Sequence, residues 1–119
     1  MYVMVEKASR HVKLNPSTRA RLIADVTLDF DPTGSTVEVS VDGTWYPASW
    51  IGSAVKRAVF VNGANVDRWT QTARTTGFFA GPSATPAGAV VLAAGRRSTK
   101  VRVTGTDTLV NDSTPIDVA

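Results

Sequence analysis

Strict alternation of apolar and polar residues is the feature that most limits what this chain can fold into. A strand that buries one face shows a period of two, whereas a helix shows a period near 3.6. Three segments alternate in this way, ADVTLDF (24–30), TVEVSV (36–41) and TKVRVT (99–104), and no segment from Leu22 onward has a convincing helical period. The alternation predicts inward-facing side chains at Ala24, Val26, Leu28, Phe30, Val37, Val39, Val41, Val101 and Val103.

Turn signals divide the chain into short segments. DPTGS (31–35), Asp42-Gly43 and Asn62-Gly63 are turn sequences, and residues 77–88 form a Gly/Pro/Ala-rich loop. Residues 64–75 fit either irregular strands or one helical turn. About seven short strands with turns every 8 to 12 residues predict an all-β protein, a single immunoglobulin-like or jelly-roll-like β-sandwich. The sandwich is expected over residues 22–119, with residues 1–21 as an N-terminal arm or an extra strand.

Composition and motifs argue against most chemistry. The 119 residues suffice for one domain, and the absence of cysteine excludes disulfides and thiol chemistry. His11 is the one histidine, and Asp25, Asp29 and Asp31 lack the spacing of a calcium loop. No phosphate-binding or nucleophile-elbow motif is present. We therefore predict no catalytic residue, no cofactor, no metal site, no signal peptide and no membrane span, and expect synthesis in the cytoplasm.

Charge is distributed unevenly along the chain. Residues 1–24 carry five basic residues and one acidic residue, while residues 25–42 carry five acidic residues and no basic one. A second basic group follows at Arg96, Arg97, Lys100 and Arg102. This pattern fits nucleic-acid binding or packing between copies. Neither basic stretch has five consecutive like charges, and exposed strand faces are commonly charged, so nucleic acid is not the expected partner.

The hairpin VSVDGTWYPASWIGS (39–53) concentrates aromatic residues. Trp45 and Trp50 are separated by an odd number of residues, so one unbroken strand would present them on opposite faces. Three interpretations follow: one tryptophan in the core and one at an interface, both in the core if Pro47 resets the register, or a shared ligand platform. Proline donates no ladder hydrogen bond, so the strand is expected to be an edge strand or to break at Pro47.

The chain also resembles a known group of proteins. VEVSVDGTWYPASWIG (37–52), AVVLAAGRRSTKVRVTGTDT (89–108) and PIDVA (115–119) resemble small all-β structural proteins of long-tailed bacteriophages that infect actinobacteria. The hairpin of that group carries Asp-Gly-Gly where this chain has Asp42-Gly43-Thr44, and the group's pattern does not include the basic N-terminal segment. The resemblance implies a virion component of the tail or the capsid surface.

The expected function is therefore non-enzymatic assembly into a virion, through sheet edges and an N-terminal arm, with other virion proteins and with further copies of the chain. The alternative is a carbohydrate- or receptor-binding module that uses exposed aromatic residues. A nucleic-acid-binding domain is a third, less favoured interpretation. The residues predicted to contact a partner are Tyr2, Arg10, Lys13, Trp45, Tyr46, Pro47, Trp50, Phe78 and Phe79.

Overall fold

The computed structural model describes residues 3–7, 13–14, 19–82, 88–104, 109–112 and 116–118. Among these residues there are strands and turns but no helix, which confirms the prediction of an all-β protein. About seven strands were predicted, and the described residues contain twelve. They are β1 (Val3–Lys7), β2 (Lys13–Leu14), β3 (Ile23–Leu28), β4 (Thr36–Val41), β5 (Thr44–Val61), β6 (Ala64–Thr75), β7 (Phe78–Ala80), β8 (Ala89–Val91), β9 (Gly95–Arg97), β10 (Thr99–Thr104), β11 (Leu109–Asp112) and β12 (Ile116–Val118).

One antiparallel sheet of seven strands dominates the molecule, in the order β1-β3-β6-β5-β4-β10-β11. The sheet curls until its two edge strands, β1 and β11, approach each other. Two smaller sheets accompany it, β2-β12-β9 and the parallel pair β7-β8. Because β1 pairs with β3, residues 3–7 are an extra strand of the sheet and not a free arm. Tyr2 and Arg10 lie outside the described residues, and only the backbone of Lys13 is described, as part of β2.

The concave side of the curled sheet holds the apolar core. All of the side chains predicted to face inward are buried except Phe30, which is partly buried against the same cluster. The small sheets and the adjoining loops add Leu22, Phe79, Leu92, Ile116 and Val118. Alternation along each strand therefore predicted the faces correctly, because it depends only on the local pleat.

Two tight turns form as their dipeptides predict. Asp42 and Gly43 have φ values of 50° and 86°, and Asn62 and Gly63 have 50° and 82°. Positive φ at both central residues is the mark of the type I′ turn that joins two-residue hairpins. The first turn joins β4 to β5. The second joins β5 to β6, so residues 64–75, which were ambiguous from sequence, form a regular strand.

Pro47 neither breaks β5 nor marks an edge, contrary to the sequence prediction. It lies opposite Glu38 of β4, inside a strand that runs without interruption from Thr44 to Val61. Its carbonyl accepts a hydrogen bond from the backbone N–H of Thr76 at 3.0 Å. In an antiparallel strand the N–H and C=O of one residue point toward the same neighbouring strand. The N–H that Pro47 lacks would therefore point toward β6, which has already ended at Thr75. The missing donor therefore costs the sheet no ladder bond.

Candidate functional site

The β5–β6 hairpin extends beyond the rest of the sheet. β5 pairs with β4 only as far as Ala48, and β6 pairs with β3 only from Trp69 onward. Between these limits, in the described part of the chain, the two strands hydrogen-bond only to each other. We call residues 51–72 the hairpin arm; at its base, residues 69–72 of β6 still pair with β3. It contributes to the elongated shape of the molecule, whose principal extents are 50 × 25 × 21 Å.

The hairpin arm carries most of the exposed apolar surface. Large exposed hydrophobic side chains among the described residues are Ile51, Val55, Phe60, Val61 and Val91, and the first four belong to the arm. Phe60, next to the turn, is 73 % exposed. Ile51, Val55 and Val61 lie on one face of the hairpin and Phe60 lies on the other. Several large apolar side chains exposed on one uncovered hairpin indicate a candidate interaction site. The arm is therefore the strongest candidate for a functional surface in this structure.

The pleat gives the hairpin arm two different faces. One face continues the core side of the sheet, and its cross-strand pairs are Lys56 with Trp69, Ala58 with Asp67 and Phe60 with Asn65. The other continues the outer side of the sheet, with the pairs Val55–Thr70, Arg57–Arg68, Val59–Val66 and Val61–Ala64. A bulge in β5 between Ile51 and Val55 lies at the base of the arm, and Gly52 takes a φ of 68° there.

A cleft of about 520 Å³ lies at the base of the arm. We call it the indole cleft, because the side chains of Trp50 and Trp69 both line it. Its other lining residues are Asp31, Thr33, Gly34, Gly52, Ser53, Ala54, Lys56 and Gln71. The indole N–H of Trp50 donates to the Ser35 carbonyl at 3.0 Å, and the side-chain amide of Gln71 donates to the Gly52 carbonyl at 2.7 Å. These bonds tie the cleft walls to the bulge and to the β3–β4 turn.

A carboxylate, that of Asp31, lines the indole cleft. Asp31 Oδ1 accepts hydrogen bonds from the backbone N–H of Thr33 at 3.0 Å and from its hydroxyl at 2.7 Å. The backbone bond, followed by the hydroxyl bond, lowers the pKa of Asp31 below its ordinary value of 3.8, because both stabilise the ionised form. Asp31 is therefore negatively charged at neutral pH. Lys56 also lines the cleft, and its Nζ lies 3.5 Å from Asp67 Oδ2 and 5.6 Å from the centroid of the Trp69 ring.

Trp45 and Trp50 lie on opposite faces of β5, as their odd spacing predicted. Trp50 packs against the core cluster and faces the indole cleft. Trp45 lies on the outer side, where the guanidinium of Arg102 is 4.1 Å from its ring centroid. The two tryptophans therefore do not share a platform. The aromatic partner of Trp50 in the cleft is Trp69, which belongs to β6 and which sequence reasoning had not paired with it.

The remaining aromatic residues of the predicted partner surface are placed differently. Phe79 is only 1 % exposed, and Tyr46 packs edge-on against it with ring centroids 4.9 Å apart. Phe79 belongs to the core, so its assignment to a partner surface is corrected, and Tyr46 is half-buried against the same cluster. Phe78 is partly buried, with the guanidinium groups of Arg19 and Arg21 at 4.4 and 4.5 Å from its ring centroid. Pro47 is exposed on the outer side of the sheet.

The second basic group is engaged with carboxylates. Arg97 pairs with Asp42 at 3.3 Å, Arg96 pairs with Asp117 at 3.3 Å, and Arg102 pairs with Glu38 at 2.8 Å. These contacts link β9 and β10 to the neighbouring elements of the fold. A phosphate backbone would have to displace them, because each guanidinium already has an anionic partner.

We expect Arg102→Ala to lower the free energy of unfolding by about 1–2 kcal/mol, because it removes hydrogen bonds to a half-buried carboxylate and the stacking on Trp45. Urea unfolding measures the change. The matched control is Arg96→Ala, whose ion pair with Asp117 is exposed, for which we expect less than about 0.5 kcal/mol. Equal effects of the two substitutions would contradict the expectation.

Other kinds of site find little support in the described part of the chain. It contains no group of three or more histidine, cysteine, aspartate or glutamate side chains arranged to hold a metal ion. No helix in it is long and apolar enough to cross a membrane. His11 lies outside the described residues.

The hairpin arm was the functional feature that sequence reasoning missed. Its signal was present in the Asn62-Gly63 dipeptide, which follows Val59 and Val61 and precedes Val66. That arrangement is a strong local signal for a hairpin. It indicates that two strands pair, but it carries no information on whether a third element covers them.

Comparisons with known proteins do not place the chain in a family. No family model matches the chain, and neither the curated proteins nor the solved structures include a significant match to it.

Proposed function

We propose that the protein is a non-enzymatic structural component of a bacteriophage virion that assembles through its hairpin arm. The assignment to a virion rests on the sequence resemblance at residues 37–52, 89–108 and 115–119. The assignment to assembly rests on the exposed apolar arm, with Phe60 at its tip. The partners are further copies of the chain and other virion proteins, the chain being made in the host cytoplasm and acting in the particle.

Energetics favour an arm that is covered when the protein functions. A hairpin of two strands is marginally stable in water by itself, and three or more strands or a packed face are needed for independent stability. Burying a side chain such as Phe60 or Val55 contributes about 1.5–3 kcal/mol relative to leaving it exposed. Contact with another protein therefore stabilises the arm as well as the assembly.

Free strand edges give the arm a second means of contact. Within the described part of the chain, residues 55–61 of β5 and 64–68 of β6 each pair with a neighbouring strand on one side only. An uncovered edge presents N–H and C=O groups at the spacing that an added strand requires. The sequence predicted assembly through sheet edges and through an N-terminal arm. The hairpin arm is now the better candidate for that role, because residues 3–7 are already paired with β3.

Self-association is the test of this proposal. We expect the purified chain to show a mass that rises with concentration in the micromolar range, measured by light scattering after size exclusion. A monomer at every concentration that also fails to bind isolated phage particles would contradict the proposal. Substitution of exposed Val91, which lies outside the arm, serves as the control and is expected to leave the mass unchanged.

The indole cleft favours one other function, binding of a carbohydrate. Indole rings, a carboxylate and an amide are groups that stack on sugars and hydrogen-bond to them, and Trp50, Trp69, Asp31 and Gln71 supply them here. Titration of tryptophan fluorescence with chitotriose, an N-acetylglucosamine oligomer, and with soluble cell-wall glycan fragments tests this function. Unchanged fluorescence at millimolar sugar would remove it.

A further inference from the structure

We propose that a second interaction surface lies at the opposite end of β6 from the arm tip, where Arg21 and Arg74 bind the carboxylates of an acidic segment of another protein. We call it the arginine surface, and it consists of Arg19, Arg21, Arg74 and Phe78. This inference goes beyond the proposed function, because it involves neither the hairpin arm nor the indole cleft.

The pleat places Arg21 and Arg74 on the outer side of the sheet. Leu22 is buried in the core, so the residues on either side of it, Arg21 and Ile23, face outward. Ile23 pairs with Arg74 of β6. Arg74 and Arg21 therefore take neighbouring positions on the outer side, because residues on one face of adjacent strands lie side by side.

Arg102 shows how this fold completes the contacts of an arginine that stacks on an aromatic ring. Its guanidinium lies 4.1 Å from the centroid of the Trp45 ring. Its Nε and Nη2 donate to Oε1 of Glu38 at 3.0 and 2.8 Å. The ring holds the guanidinium by its face, and the carboxylate accepts hydrogen bonds from its edge.

Arg21 has the first of these two contacts and lacks the second. Its guanidinium lies 4.5 Å from the centroid of the Phe78 ring, with that of Arg19 at 4.4 Å from the same centroid. Within the described ranges Arg21 donates no hydrogen bond, and its Nε is buried without an acceptor. A carboxylate that contacts the terminal amino groups of Arg21 would provide the acceptor that Glu38 provides for Arg102.

Arg74 adds a second cation at this place. Its side chain is exposed, and among the residues that the structure describes it has no hydrogen bond and no ion pair. The next outward-facing residue of β3 after Ile23 is Asp25, whose carboxylate accepts a hydrogen bond from the Thr72 hydroxyl at 3.0 Å. Two neighbouring guanidinium groups thus face solvent, and they attract and orient a partner that carries carboxylates.

An acidic protein segment fits the arginine surface better than a nucleic acid does. Single strands bind where bases stack on open aromatic faces, whereas the Phe78 ring is already contacted by two guanidinium groups. Arg96, Arg97 and Arg102 are each paired with a carboxylate. They therefore do not extend the surface into a track for a phosphate backbone.

Binding of a fluorescein-labelled hexaglutamate peptide, followed by fluorescence anisotropy at low ionic strength, tests the proposal. We expect saturable binding to the natural chain. Arg21→Gln is expected to weaken binding about tenfold, because it removes charge-assisted hydrogen bonds. Arg21→Lys is expected to restore only part of the affinity, because lysine keeps the charge but lacks the planar fork of donors.

Arg57→Gln is the matched control. It removes the same charge from an exposed arginine on the outer side of the hairpin arm. Its cross-strand partner Arg68 is about 20 Å from Arg74 along β6, so at this distance we expect a change of less than about twofold. Arg74→Gln alters an exposed side chain and leaves the Arg21 stack intact, and we expect it to weaken binding about threefold. Circular dichroism establishes that each variant is folded.

Absence of saturable binding at millimolar peptide would overturn the inference. Equal weakening by Arg21→Gln and Arg57→Gln in folded chains would also overturn it, since net charge alone would then explain the attraction. Tighter binding of a hexameric oligodeoxythymidine than of hexaglutamate, lost in Arg21→Gln, would assign the surface to nucleic acid instead. Self-association of the natural chain is measured separately, so each of these results leaves the proposed function standing.

Discussion

Replacing residues 52–71 by Asn-Gly is expected to abolish self-association while the body of the protein stays folded. Every buried residue of the apolar core lies outside the replaced segment. Ile51 lies directly opposite Thr72. Because Thr72 is an even number of residues from Ala64 along β6, this pair has the same place in the hydrogen-bond pattern as the Val61–Ala64 pair that flanks the natural Asn62-Gly63 turn. The shortened hairpin therefore closes with a type I′ turn, for which Asn-Gly is a preferred sequence.

Light scattering after size exclusion measures the loss, and we expect a monomer at concentrations where the natural chain associates. Far-ultraviolet circular dichroism and thermal unfolding are the controls for the body. We expect a loss of stability of about 1–3 kcal/mol, because residues 69–71, which pair with Val26, Thr27 and Leu28 of β3, are removed with the segment. Retained association of the folded, shortened chain would contradict a role for the hairpin arm and would direct attention to the sheet edges β1 and β11.

Phe79→Ala is expected to lower the free energy of unfolding by about 3–5 kcal/mol, the largest effect of any single substitution considered. Among the residues that the structure describes, Phe79 is the largest fully buried side chain, and Tyr46 packs edge-on against its ring. Truncation removes buried area and leaves a cavity that the curled sheet closes only in part. Because domains are stable by only about 5–15 kcal/mol, the melting temperature should fall by on the order of 10 °C or more.

Phe60→Ala is the matched control for this prediction. It deletes the same atoms from a side chain that is 73 % exposed, so we expect a change within about 0.5 kcal/mol when unfolding is measured at a concentration where the chain is monomeric. Urea unfolding of both variants gives the comparison. A small effect of Phe79→Ala, or similar effects of the two, would mean that the core and the arm have been assigned to the wrong aromatic residues.

Sequence patterns correctly predicted the features that depend only on neighbouring residues. Alternation placed Val37, Val39 and Val41 on the core face, and odd spacing separated Trp45 from Trp50. Asp42-Gly43 formed the turn that its backbone preference requires. Each result depends on neighbouring residues only, through the pleat of a strand or the freedom of glycine to adopt positive φ.

Predictions failed where the answer depended on a neighbour distant in sequence. Pro47 looked like an edge residue because it lacks a donor, and its place inside the sheet depends on where β6 happens to end. Phe79 looked like a partner contact because it lies in a Gly/Pro/Ala-rich stretch, and its burial depends on Tyr46 across the core. Sequence alone also left open whether residues 1–21 were an arm or a strand, and for residues 3–7 the pairing with β3 decided it.

The sequence by itself determined that this chain is built from β-strands, which side chains of β3, β4 and β10 face inward, and where two of its hairpins turn. These follow from the period of two and from backbone preferences at Asp42-Gly43 and Asn62-Gly63. Only the tertiary structure decided which strands are covered. It showed that β5 and β6 extend beyond the strands on either side of them, which leaves Phe60 exposed. It also brought Trp50 and Trp69 together in the lining of one cleft. Coverage depends on contacts between residues far apart in the chain, and no local pattern encodes them.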